Sequence, residues 1–160
     1  MKCYRSLGKR TIILLFLFLF SCQPLRPKWE LEKTVTRRSN FNSGVLFFPA
    51  EECFTHLEFE LAKTQSGVRA YINTFFSPIA STEDHQVEVS VATETDKYCF
   101  FADILKGGQR LLLPDEARDM IIELLLNDET ITIKVDRYQQ RIPPTYFRKL
   151  YRELIHLKSG

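Results

Sequence analysis

Glycine and histidine, from which many nucleotide and metal motifs are built, are scarce: six Gly and three His in 160 residues. The chain accordingly has no Gly-rich phosphate loop, no Gly-x-Ser-x-Gly nucleophile turn and no His-Glu-x-x-His metal helix, which argues against nucleotide enzymes and the common hydrolases. A strong charge of one sign is missing too. The 22 Lys+Arg face 20 Asp+Glu, but Lys2, Arg5, Lys9 and Arg10 all precede residue 22 in a stretch without acids. Beyond that stretch 18 basic residues stand against 20 acidic ones, net −2. Nucleic-acid binding by phosphate neutralisation requires a cationic excess that this remainder lacks. Seven Pro, six Gly and 44% hydrophobic residues exclude collagen-like and disordered chains. A transmembrane run is also lacking: charge-free sequence extends only from Thr11 to Leu25 and contains Ser, Cys, Gln and Pro, whereas a helical span needs about 20 apolar residues.

What the N-terminus does contain is a basic stretch ending at Arg10, an apolar run from Ile12 to Phe20, and then Ser21-Cys22. That order of segments is the layout of a secretory signal peptide, and Pro24 and Pro27 directly after it disfavour a buried core helix. Leu19-Phe20-Ser21-Cys22 resembles the lipobox of bacterial lipoproteins, with Leu19 and Ser21 matching the pattern, and Phe20 departing from the small residue usual there. The resemblance covers only these first residues. It implies residues 1–21 as a signal peptide and Cys22 as the acylated N-terminus; from the missing motifs, no cofactor or metal is expected. The resemblance also implies export to the bacterial cell envelope, with Gln23 in place of Asp pointing to the outer membrane. Several acyl chains on one residue anchor stably, whereas a single chain binds only marginally.

With Cys3 in the signal and Cys22 lipidated, Cys53 and Cys99 are the two cysteines left to the domain. In an exported protein such a pair invites a disulfide. Closing 46 residues would constrain the unfolded chain by about 4 kcal/mol on chain-entropy arithmetic. Two separate buried thiols are the alternative, since free Cys packs as a small hydrophobe. Neither cysteine has a second Cys or His at zinc-site spacing.

After a Pro-containing tether over residues 22–28, one domain is expected over 29–160. Period-two alternation predicts strands at Trp29–Val35, Cys53–Leu61 and Val87–Val91, and β-branched or aromatic runs add Val45–Phe48, Val68–Phe76, Tyr98–Leu105 and Gln109–Leu113. Lys106-Gly107-Gly108 reads as a hairpin turn. Pro114, Asp115 and Glu116 open an amphipathic helix carrying Ala117, Met120, Ile121, Leu124 and Leu125. A strand over Thr130–Val135 follows, and Pro143-Pro144 introduces a last helix with Phe147, Leu150, Tyr151 and Leu154 on one stripe. The expected fold is α+β: a β-rich antiparallel sheet or sandwich with two C-terminal helices. The doublets Phe47-Phe48, Phe75-Phe76 and Phe100-Phe101 suggest strands covered on both faces.

Three features carry candidate chemistry. His56, Glu58 and Glu60 share one strand parity and could converge on a metal or form an acid-base pair, although charged residues also belong on a solvated strand face. His85 lies beside Glu83 and Asp84 in a polar loop. Residues 137–160 carry net +5 against −7 for residues 23–136, and Arg148 and Arg152 stack with His156 opposite the apolar stripe. This basic face suits anionic lipid or an acidic partner, and equally suits a solvated surface. The leading expectation is a membrane-anchored envelope lipoprotein with a non-catalytic binding or structural domain. The rivals are a small exported enzyme using His56 or His85 with nearby carboxylates, and a soluble secreted factor with a conventionally cleaved signal.

Overall fold

The computed structural model describes residues 28–34, 43–51, 56–75, 79 and 85–157. The signal and lipobox-like residues up to Cys22, the tether as far as residue 27, and Cys53 lie outside the described residues.

The described strands form a single nine-stranded sheet rather than a sandwich. They are β1 (Glu30–Thr34), β2 (Ser43–Phe48), β3 (Glu58–Thr64), β4 (Gly67–Asn73), β5 (Gln86–Ala92), β6 (Lys97–Ile104), β7 (Arg110–Leu112), β8 (Ile131–Val135) and β9 (Tyr138–Ile142). Their order is β1-β2-β3-β4-β7-β6-β5-β8-β9, with every neighbouring pair antiparallel. The hairpin joining β6 to β7 turns at Gly107 and Gly108, whose φ of 102° and 72° glycine adopts without steric cost.

Alternation divides the sheet into an inner and an outer face. Leu31, Leu46, Leu61 and Ala70 lie side by side across β1 to β4, and Phe48, Phe59, Ile72 and Leu111 form the next row across β2, β3, β4 and β7. Apart from Leu31, which packs against the core half-buried, all of these are buried. The inner rows continue through Val89, Val135 and Tyr138 on the far side of the sheet.

Two helices cover this inner face. α1 (Asp115–Leu126) begins at Pro114 with Asp115 and Glu116 in its first turn, where acidic side chains suit the helix dipole. It buries Ala117, Ile121, Ile122 and Leu125 while carrying the chain from β7 past β6 and β5 to β8. It is therefore an internal crossover, so only the second helix is C-terminal. α2 (Phe147–Ile155) buries Phe147 and Leu154 against β1 and β2, with Leu150 and Tyr151 partly buried beside them. A Cβ on Gly44 of β2 would stand 2.9 Å from Leu154 Cδ1 and still closer to Leu157, so glycine lets α2 lie directly on the strand.

The indole N–H of Trp29, just before β1, donates to the carbonyl of Pro143, just after β9, at 2.9 Å. In a flat sheet the two edges would stand about 38 Å apart, eight inter-strand steps of about 4.8 Å. The sheet is therefore curled round its core until its first and last strands meet at one corner. Trp29 seals that corner with edge contacts to Phe48 and Phe59 and a tilted contact to Phe147 at 4.8 Å.

Among the described residues helical cover lies on one face only, against the two-sided cover expected from the Phe doublets. Phe48 and Phe100 point inward, but Phe47 is only half-buried on the outer face and Phe101 is 63% exposed there.

Candidate functional site

The outer face of the sheet, which no described element covers, holds a polar cluster flanked by aromatic rings. Cross-strand pairing sets Phe47, Glu60 and Tyr71 in one row across β2, β3 and β4, and sets Glu58, Asn73 and Arg110 in the next across β3, β4 and β7. Glu60, between Phe47 and Tyr71 in that row, is only 8% exposed. Asn73 Nδ2 donates to Glu58 Oε1 at 2.9 Å and to Glu60 Oε2 at 3.0 Å. Arg110 donates to the other Glu60 oxygen at 2.7 Å, and its guanidinium carbon lies 4.0 Å from the centre of the Tyr71 ring. A charge-assisted bond and a cation–π contact thus fix the same arginine.

Burial pushes the Glu58 carboxyl above its ordinary value. The Asn73 hydrogen bond opposes that rise, nearby Glu60 and Glu32 add to it, and Arg110 opposes it. Glu58 therefore holds a proton more readily than an ordinary glutamate. The group as a whole can present donors and acceptors in fixed positions to a polar partner.

His56 does not join this cluster in the way its parity suggested. It precedes the described start of β3, and its Nε2 lies 3.9 Å from Glu51 Oε2. His85 precedes β5 with φ 54°, and its carbonyl accepts the Ile104 amide at 2.8 Å. Both histidines lie at the same end of the sheet, but β3 and β5 are four steps apart in strand order, about 19 Å measured along the sheet. Among the described residues no three His, Cys, Asp or Glu side chains are grouped so as to hold a metal ion.

Cys99 lies on the outer face of β6 opposite Ser90 and is an exposed free thiol. Its expected disulfide partner, Cys53, lies outside the described residues, and the Cys99 side chain leaves the sheet on the face that nothing described covers.

The basic face of α2 borders an open depression of about 600 Å³ lined by Asp128, Thr145, Tyr146, Arg148, Lys149 and Arg152, with Pro144 at its edge. Its two expected contact residues differ in role. Arg148 is engaged: it donates to the Leu126 carbonyl at the end of α1 and to Asp128 at 3.0 Å. Arg152 is exposed, and among the described residues its side chain has no hydrogen-bond or ion-pair partner. Tyr146 and Lys149 belong to the same depression and were not singled out by sequence. The αL conformation of Tyr146, φ 69°, sets its ring 66% exposed at the rim.

No protein-family profile, curated protein or solved structure matches this chain.

Proposed function

We propose that this protein is an exported bacterial envelope lipoprotein, acylated on Cys22 and held at the outer membrane. In this reading its β-rich domain is non-catalytic and binds another envelope protein through the outer face of the sheet. The anchor reading is supported by Leu19-Phe20-Ser21-Cys22 closing the apolar run of the signal. The binding reading is supported by the one-sided cover of the sheet among the described residues. The inner face is filled by α1 and α2, while the outer face presents Phe101 at 63% exposure together with the fixed polar groups of Asn73, Glu58 and Arg110. An exposed aromatic and an ordered arginine on one sheet face are residue types that protein interfaces favour.

Photo-crosslinking in intact cells tests this reading. A crosslinking side chain at position 101 should yield a discrete protein adduct, and the same group at exposed Glu123 on α1 should not. Equal adducts from both positions, or none from 101, would overturn the outer face as the binding surface.

A further inference from the structure

We propose that the depression beside α2 binds the phosphate of anionic phospholipid headgroups in the membrane that carries the anchor. The domain is then held with the outer face of its sheet turned away from the bilayer. The proposal rests on reading Cys22 as the anchor, and three observations carry it.

The first is charge. Arg148, Lys149 and Arg152 line the depression with a single acid, Asp128, and that carboxylate is already bonded to Arg148. Lys149 and Arg152 are left without a hydrogen-bond or ion-pair partner among the described residues. Glu153, which feels the charge of Lys149, is bonded to Lys33 at 2.8 Å. Two uncommitted cations beside a Thr hydroxyl and an exposed Tyr ring suit a headgroup phosphate at a membrane interface, where Tyr rings are enriched.

The second is position. The Trp29–Pro143 hydrogen bond places the start of β1 next to Pro144, at the edge of the depression. Trp29 also contacts Phe147, the first residue of α2. Six residue steps separate Cys22 from Lys28, a reach of at most about 21 Å even when fully extended. An anchored Cys22 therefore keeps the basic residues close to the headgroups, and tethering of that kind raises the effective concentration of a weak electrostatic contact.

The third is orientation. α2 lies on the inner face of β1 and β2, so its solvent side and the outer face of those strands point in opposite directions. Contact through α2 thus leaves the outer face accessible to a protein partner.

The test uses the full chain purified from membranes and placed in nanodiscs of phosphatidylcholine alone or with about one-third phosphatidylglycerol. A water-soluble amine-acylating reagent then reports the accessibility of Lys149, with exposed Lys134 on β8 as the internal reference. The expected result is several-fold slower labelling of Lys149 in the anionic discs, unchanged Lys134, and loss of the protection at high salt and in Arg152→Glu. Arg152→Glu should melt like the unaltered protein, because its side chain is exposed and bonds to nothing described. Equal labelling of Lys149 in the two discs overturns the proposal. Equal protection by millimolar inorganic phosphate in neutral discs also overturns it, by assigning the site to soluble phosphate. The digest that reports Lys149 also contains the Cys22 peptide. Protection with Cys22 unmodified would refute the anchor and leave the headgroup site standing, whereas an acylated Cys22 without protection would refute the site alone.

Discussion

The indole nitrogen of Trp29 and the carbonyl oxygen of Pro143, 114 positions apart, are joined by a 2.9 Å hydrogen bond at the corner where the curled sheet meets itself. Because the ring also packs on Phe48, Phe59 and Phe147, one side chain couples the first strand, the last strand and α2. Trp29→Phe keeps most of the ring contact and loses the hydrogen bond, and should cost about 1–2 kcal/mol. Trp29→Ala removes the wedge altogether, for about 3–5 kcal/mol. Denaturant melts of the two variants check the ranking, and equal midpoints would show that the corner is not held by this residue.

The contact between α2 and β2 gives a second expectation. Gly44→Ala places a methyl group into Leu154 and Leu157 and should destabilise by about 1–3 kcal/mol through overpacking. Phe147→Ala should cost about 3–5 kcal/mol from the same helix. On the opposite side Arg152→Ala should change stability by less than about 0.5 kcal/mol. Arg148→Ala should fall between them at about 1 kcal/mol, because it removes a donor from the last carbonyls of α1. Thermal or denaturant midpoints of the four variants give the order directly.

Glu58 and Glu60 should respond differently to substitution. The folded state holds the proton on Glu58 more tightly than the unfolded chain does, so stability falls as pH rises from the ordinary carboxylate value through the raised one. Glu58→Gln removes that penalty. It should raise stability at neutral pH and leave it unchanged below the ordinary Glu value. Arg110→Ala takes the charged partner from a carboxylate that is mostly buried, and should destabilise by about 1–3 kcal/mol at neutral pH. Melts at neutral and acid pH separate the two effects.

Cys99 should react with a maleimide in the native, unreduced protein, because its thiol is free and exposed on the outer face. Mass measurement of the labelled protein decides this, and an unreactive Cys99 that becomes labelled only after reduction would establish the disulfide after all.

The strands and helices whose apolar residues follow one clear period could be read from the sequence: β5 from its alternating valines, α1 from Ala117, Ile121 and Leu125, and α2 from Phe147 and Leu154. β9 could not. Its inward positions are Tyr138, Gln140 and Ile142, and the buried Gln140 at the centre breaks the apolar alternation that marks a strand. The turn before it depends on Asp136 at φ 50°, without the glycine that would have announced a hairpin. The candidate site was legible only in part. Glu58 and Glu60 were visible as a pair on one parity, but Asn73 and Arg110 reach them through the pairing of β4 with β3 and β7, which no local pattern encodes. Arg148 and Arg152 were legible as one face of a helix, whereas the engagement of Arg148 with Leu126 depends on how α1 ends beside α2.

Mass spectrometry of the N-terminal peptide of the protein purified from membranes tests the central claim, an anchored envelope module, most directly. The mature chain should begin at Cys22 and carry acyl groups on that residue, and a Cys22→Ser variant should stay unprocessed or leave the membrane fraction. A mature chain beginning at another residue, or one beginning at Cys22 without acyl groups, would contradict it.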